Sequence, residues 1–510
     1  MRLEDYAAPA DASASQHAHS RPHPAGAGLF LKWGGGVALA TALYFGDLLS
    51  GSCVLVAFVC AGLLWTRAEI PVLLFCVLYQ WLFIVTGYFF MLITGSYPGL
   101  ADLGEIRTAV WYSLAGLLSV TIGIRLVLGG QSAVRRDDDA PYDVSKLFWC
   151  VLILFSINWY FEVGAAQLRL AAFNLAQELQ HVLIFRYLFL YLLLLTVARR
   201  RSGYGLAILA FIYVFLPELT SSMTKFKELF FLVFLVLLSQ WQLGARDPRE
   251  RAHNLGILVT LVAISVFLLT IGLLWSGGLK HSWRYALLSG EVSGSPIEKI
   301  EAYGEHAVDS IRSFEVERGA NTLGSRMASG VAYFSHVIRV VPDYVPHEDG
   351  AFTWRAIRHV LMPRFLFPEK ADLGGDSWIV RKYARLNVAG GESKTSIGLG
   401  YMGEFYIDFG FPGMLVPLLL YGALIGLLYR GLRRIAPSSA FFAASCAGLF
   451  LQHFLSYEGN FTKLLGGVLQ NFLIVATLLM VLGPWIHRML CEPDPEHGAS
   501  RVSRDARAYE

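Results

Sequence analysis

Long apolar runs recur along this chain, and they constrain its fold more than any other feature. Runs of about 18 residues or more, nearly free of charge, are the mark of membrane spans rather than of one large soluble core. Lipid offers backbone groups no hydrogen-bond partner, so each span must pair its own N–H and C=O groups, as a helix does. The sequence therefore predicts an all-α polytopic membrane protein. Twelve candidate spans can be placed, at about 28–46, 48–66, 70–94, 106–128, 146–163, 181–198, 205–222, 226–241, 255–275, 399–429, 438–457 and 466–486. Composition agrees: 55% of residues are apolar and 16% charged, where a soluble domain carries about 25% charged.

Basic residues order these spans. Arg67, the pair Arg135 and Arg136, the run Arg199 to Arg201, then Arg246, Arg249 and Arg251, then Arg430, Arg433 and Arg434, and finally Arg488 fall in alternate connections. Cytoplasmic loops collect arginine and lysine. Twelve spans with both termini inside put every one of these clusters in the cytoplasm. The same parity puts the only long region without a spanning run, about 276–398, on the opposite side.

The expected organisation is a disordered cytoplasmic tail over 1–26, an N-terminal bundle of about nine spans over 27–275, a large loop over 276–398, about three spans over 399–487, and a cytoplasmic tail over 488–510. The first tail holds His17, His19 and His23, which a flexible polar tract need not organise into a metal site. Five of the six cysteines lie in apolar runs and none in the long loop, so neither a disulfide framework nor a CxxC metal site is expected. The net charge of +3 points to no nucleic-acid partner.

The long loop carries helical periodicity. Ser295 and Pro296 open a segment with Ile297, Ile300, Tyr303, Ala307, Ile311 and Phe314 at spacings of three and four, a capped amphipathic helix. Leu323, Met327, Val331, Phe334, Ile338 and Val341 form a second such pattern, and Trp354, Ile357, Val360 and Leu361 a third. The expectation is short helices lying on the membrane surface over a cavity.

Chemistry-bearing residues collect in the same loop. Arg355, Arg358 and His359 occupy neighbouring helical positions, and Arg364, Lys370, Arg381, Lys382, Arg385 and Lys394 follow. Guanidinium forks match phosphate oxygens, and the adjacent Trp354, Phe365, Phe367, Trp378 and Tyr383 could face sugar rings. A solvated outer face is the plainer alternative. Glu404 and Asp408 share one helical face just before an apolar run. Either could act as a general base, or both could complement a helix N-terminus. Lys225 and Lys227, beside Glu228, could reach a phosphate or simply snorkel to the interface, and Arg169 is similar. Gly398, Gly400 and Gly403 spell GxGxxG, but no strand precedes them as a dinucleotide site requires. Asn460 to Thr462 spells a glycosylation sequon, which recurs by chance.

The order of spans, the single late loop, and the stretch Gly403-Glu-Phe-Tyr-Ile-Asp-Phe-Gly410-Phe-Pro-Gly413 resemble the Wzy-type repeat-unit polymerases, within the superfamily that includes the O-antigen ligases. Members show an acid, an aromatic and Phe-Gly-x-x-Gly at the start of the span after the loop, which Glu404, Tyr406, Phe409, Gly410 and Gly413 match. Pro363 with Arg364 and Pro368 with Lys370 look like the family's basic, proline-rich stretch, and Arg364 and Gly375 are spaced as its RX10G motif. Thr220 to Lys227 departs from the family, with lysines where a Ser-Arg turn is usual.

The resemblance implies a GT-C-like fold in the bacterial inner membrane, with the loop periplasmic. It implies a glycosyltransferase that polymerises undecaprenyl-pyrophosphate-linked oligosaccharide repeat units into O-antigen, capsule or exopolysaccharide. Glu404 and His359 would be its catalytic candidates. Arg355, Arg358, Arg364, Arg381, Lys225, Lys227, Tyr406 and Asp408 would bind pyrophosphate and glycan. No cofactor or metal is implied; the partners would be the lipid-linked donor, the bilayer, a chain-length regulator and a flippase. A ligase-like transferase, a transporter of lipid-linked glycans and a non-catalytic export component are the competing readings.

Overall fold

The structure, a computed structural model, describes residues 25–65, 71–97, 105–129, 142–162, 184–220, 226–241, 247–292, 296–362, 367, 369, 376–390 and 397–491. Expectations for the two tails, and for Arg67, Arg135, Arg136, Arg169, Lys225, Arg246, Arg364, Lys370, Gly375 and Lys394, fall outside the described residues. Among those described, regular structure is all helical.

The first helices are α1 (Ala25–Phe45), α2 (Leu48–Leu64), α3 (Val72–Thr94), α4 (Ile106–Leu128) and α5 (Val144–Glu162). Next come α6 (Phe185–Arg200), α7 (Tyr204–Thr220), α8 (Phe226–Ser239) and α9 (Pro248–Leu274), which runs through a π turn at Trp275–Leu279 into α10 (Lys280–Ser289). The long loop holds α11 (Pro296–Arg312), α12 (Val316–Val340), α13 (Ala351–Val360) and α14 (Ser377–Tyr383). The chain ends with α15 (Tyr401–Gly413), α16 (Leu415–Ile435), α17 (Ser439–His453), α18 (Phe461–Val481) and α19 (Gly483–Leu490).

Local chemistry sets several of these boundaries. Asp47 caps α2 through the Ser50 N–H at 2.9 Å, Ser438 caps α17 through Phe441, and Asn460 caps α18 through the Lys463 N–H at 2.7 Å. Each cap satisfies a donor the helix start would leave unpaired. Among the described residues, five helices are long and apolar enough to cross a membrane: α3, α4, the continuous rod Pro248–Leu287, α16 and α18. The apolar helix α2 and the segments Val144–Tyr160 and Tyr204–Glu218 are shorter.

The closest packing joins α4 and α16. A Cβ on Gly123 would stand 2.1 Å from the Leu419 carbonyl oxygen, and one on Gly422 would stand 2.0 Å from that of Val120. Small residues let the two backbones touch, as is common between membrane helices. Gly116 meets Leu418 and Gly426 meets Val127, so the pair runs parallel and in step.

Two expectations change shape here. The single span placed at 399–429 is two helices, because Gly410 (φ 60°, ψ −174°) and Phe411 (φ −103°, ψ 132°) leave the helical region. Glycine tolerates that φ, and Pro412 pushes the residue before it out of the α region. Nor are the loop helices all short. α12 has 25 residues and packs along α3 and α4, burying Gly324, Ala328, Val331 and Phe334. Tyr97 Oη donates to the Ala328 carbonyl at 3.1 Å across that contact. The loop region is thus built into one end of the bundle, here called the loop end.

Candidate functional site

Helix α15 is the hub of the loop end. Its first two turns are buried, including Glu404, 5% exposed, and Asp408, 1% exposed. Glu404 and Asp408 are one turn apart, and each accepts from the start of a different helix. The Phe461 N–H of α18 donates to Glu404 Oε2 at 2.9 Å. Asp408 receives the Phe352 N–H at 2.9 Å, the Thr353 N–H at 2.7 Å and the Thr353 hydroxyl at 2.6 Å, all from the start of α13. The two acids therefore complement helix N-termini, as their alternative reading anticipated, but those of α18 and α13 rather than that of α15 itself.

Holding both starts on one face of α15 sets α13 beside α18. Between them and α16 lies a cavity of about 260 Å³, lined by Thr353, Ile357, Val360, Phe405, Tyr421 and Leu465 among others. Apart from Thr353 and the tyrosine hydroxyl, these walls are apolar. Ile357 and Leu361 face this groove, and Arg358 stands between them in sequence on the flank of the same helix. Arg358 is exposed and has no ion pair among the described residues. Arg355 lies over the Phe352 ring at 5.3 Å and the Trp378 ring at 6.0 Å, a cation–π arrangement. His359 is half-buried on the last turn of α13.

The remaining candidates divide. Arg381 donates from Nε and Nη2 to the Val388 carbonyl at 2.9 and 2.6 Å, which folds its own loop back. Tyr406 Oη donates to the Val341 carbonyl at 3.2 Å, and its ring stacks with Tyr112, which stacks in turn on Phe411 at 4.1 Å. Lys227 is exposed, with Nζ 5.9 Å from the Tyr79 ring centre, and belongs to a different part of the bundle from α13.

Several polar groups went unread in the sequence. Asp376 receives Lys463 and the Asn460 amide, joining the loop to the start of α18. Glu348 accepts from the Tyr383 hydroxyl and from Lys382 at 3.0 Å. These two donors, the tyrosine foremost, hold the Glu348 carboxyl below its ordinary range. Arg186, 6% exposed, donates to Asn158 and lies over the Phe155 and Tyr187 rings at 5.5 and 4.8 Å. An arginine inside an apolar run is itself a signal, and it was there to be read. The ion pairs have no such signal, since their partners are 34 and 87 residues apart.

Fold and site together define a protein that is all-helical among the described residues, with membrane-length apolar helices and with α13 of the late loop forming one wall of an apolar groove. Residues 112–482 match the model of a domain of unknown function, DUF8712, and the chain belongs to that family. Neither a curated protein nor a solved structure matches it.

Proposed function

We propose that this protein is a membrane glycosyltransferase of the Wzy-like kind, using a lipid-diphosphate-linked oligosaccharide as donor and polymerising repeat units on the non-cytoplasmic side of the bacterial inner membrane. The observation that carries the reading is the apolar groove between α13, α16 and α18, with Arg358, exposed and without an ion pair among the described residues, next in sequence to the lining residue Ile357. An apolar slot beside a fixed cation suits a substrate that is hydrocarbon at one end and diphosphate at the next. The arrangement favours a GT-C-like membrane scaffold of about twelve spans, with the loop end facing away from the cytoplasm and both termini within it.

In this reading the isoprenoid enters the groove, and Arg358 with Arg355 faces the diphosphate. A hydroxyl of the acceptor sugar attacks the anomeric carbon of the donor. The bond from that carbon to the diphosphate oxygen breaks, and the lipid diphosphate leaves with the electron pair, its charge held by the guanidinium groups. The hydroxyl proton passes to a base. His359 and Glu404 are the candidates for that role, and the enclosed Glu404 carboxylate also holds the Phe461 N–H.

The test is glycan length in cells lacking the gene, complemented by wild type, Arg358→Ala or His359→Ala at matched membrane abundance. Single lipid-linked units should accumulate in the null strain, and Arg358→Ala should fail to restore polymer. Accumulation of long lipid-linked polymer would instead make the chain a ligase. Unchanged polymer in the null strain would end both transferase readings.

A further inference from the structure

A pyranose ring shows two chemistries at once: a slightly positive C–H face, and a rim of hydroxyls that each donate and accept. A protein that holds one needs an open aromatic face, which is negative, and polar groups with hydrogen-bonding capacity to spare. Both are present beside the groove, where α13 meets α14.

Trp378 supplies the face. Its ring stacks on Phe352 at 5.8 Å and 14°. Its other neighbours lie on the Phe352 side. The Tyr383 ring is 5.5 Å from Phe352 and 6.4 Å from Trp378, and the Arg355 guanidinium is 5.3 and 6.0 Å from the same two rings. The opposite face of Trp378 meets no ring or cation among the described residues, and the residue is 37% exposed.

Polar capacity stands one helical turn on. Lys382 follows Trp378 by four residues in α14, so the two share a face. Its ammonium donates to Glu348 Oε1 at 3.0 Å and to Tyr383 Oη at 2.7 Å, which leaves one of its three N–H groups. Glu348 Oε1 also takes the Tyr383 hydroxyl, while Oε2 accepts from no described residue. Lys382 is exposed and Glu348 half-buried. A spare donor next to a spare acceptor matches two adjacent hydroxyls, one accepting from the ammonium and the other donating to the carboxylate. Hydrogen bonds to charged groups are the stronger kind.

These parts are held in place by the surrounding fold. Ser377 Oγ accepts the Ile397 N–H at 3.0 Å, and the Glu348 N–H donates to the Ile407 carbonyl of α15 at 3.0 Å. Preorganised groups lose less freedom on binding. Phe352, which backs Trp378, precedes Thr353 in α13, and Thr353 lines the groove. The aromatic face and the groove therefore adjoin, as a saccharide carried on a lipid requires.

We propose that Trp378, Lys382 and Glu348 form a saccharide-binding platform that holds the oligosaccharide of the lipid-linked substrate. The proposal deepens the transferase reading and rests on it for the source of the saccharide.

The probe is the glycan itself, freed by mild acid from the lipid-linked glycan that accumulates in the null strain. It is titrated calorimetrically into the purified full-length protein in nanodiscs. Wild type should bind. Trp378→Ala and Lys382→Gln should each weaken binding about tenfold. Trp378→Phe should keep most of the affinity. Tyr285→Ala, which removes an exposed aromatic from α10, should change nothing. Thermal melts of the same samples identify any variant that has lost its fold, and Lys382→Gln, at an exposed position, carries the comparison if Trp378→Ala has. No binding by wild type, equal affinity in wild type and both platform variants, or an equal loss in Tyr285→Ala would overturn the platform and leave the transferase reading standing. A null strain that accumulates no lipid-linked glycan would remove the transferase reading, and the platform with it.

Discussion

At the residue scale, the two carboxylates of α15 can be told apart from catalytic acids by what a conservative change does. Gln at position 404 keeps an oxygen able to accept the Phe461 N–H. A capping role therefore predicts that Glu404→Gln polymerises glycan within about twofold of wild type, whereas loss of a general base costs about 10²–10⁴. Glu404→Ala removes the acceptor and should destabilise the protein by about 1 kcal/mol, in the range of a lost helix cap. Rates and melting curves of the two variants, side by side, decide between the roles. Asp408 holds three donors of α13, so Asp408→Ala should cost more, about 1–3 kcal/mol, and should loosen α13 to proteolysis, with Asp408→Asn recovering part. Glu348 gives a pH test. Its carboxyl is held below the ordinary 4.5 by Tyr383 and Lys382, so its contribution to stability is complete above that value and fades as pH falls through the lower folded one. Glu348→Gln should lower the melting temperature at pH 7, where that contribution is complete, and the gap to wild type should close as the pH falls below about 4.5.

At the scale of elements, the α4–α16 pair is where one methyl group should matter most. Gly422→Ala places a Cβ against the Val120 carbonyl, and backbone cannot yield as a side-chain tip can. Overpacking of this kind costs about 1–3 kcal/mol. Gly256→Ala in α9 meets nothing within 4 Å and should be neutral or stabilising by up to about 1 kcal/mol. Detergent melts of both variants check the contrast, and an unaffected Gly422→Ala would disprove the contact. The same elements show what sequence could and could not reveal. Periodicity located α11, α12 and α13, because each has an apolar face that must be covered. It could not show that α12 is covered by α3 and α4 instead of by lipid, since glycine and alanine at 324, 328 and 330 carry no apolar signal of their own. It joined α15 to α16, because both are apolar and only the φ of Gly410 divides them. For the site, sequence grouped Arg355 with Arg358 on one helix and Glu404 with Asp408 on another. The link between the groups is a tertiary contact 55 residues long in sequence, and local pattern has no access to it.

At the scale of the whole molecule, the function proposed depends on sidedness. The groove and the arginines of α13 belong to the loop end, and a lipid-linked glycan is polymerised only if that end faces away from the cytoplasm. The basic clusters argue for this orientation: Arg433 and Arg434 end α16, Arg199 and Arg200 end α6, and Arg249 and Arg251 begin the rod whose far end carries Lys280. All three sit at the ends of their helices remote from the loop, where the positive-inside rule puts the cytoplasm. Cysteine labelling makes this a sharp prediction. Cys53, Cys60, Cys76 and Cys446 are buried, so replacing Cys150 and Cys491 by Ser leaves a quiet background. A membrane-impermeant maleimide should then label Tyr285→Cys, whose native side chain is 71% exposed, in spheroplasts with an intact inner membrane. It should reach Arg434→Cys only after the membrane is opened. The reverse pattern would place the groove on the cytoplasmic side, where nucleotide-activated rather than lipid-diphosphate-linked donors would be expected, and would remove the polymerase reading along with the orientation. Labelling of both positions in intact spheroplasts would mean an even number of crossings between 285 and 434, and would count against the twelve-span arrangement itself.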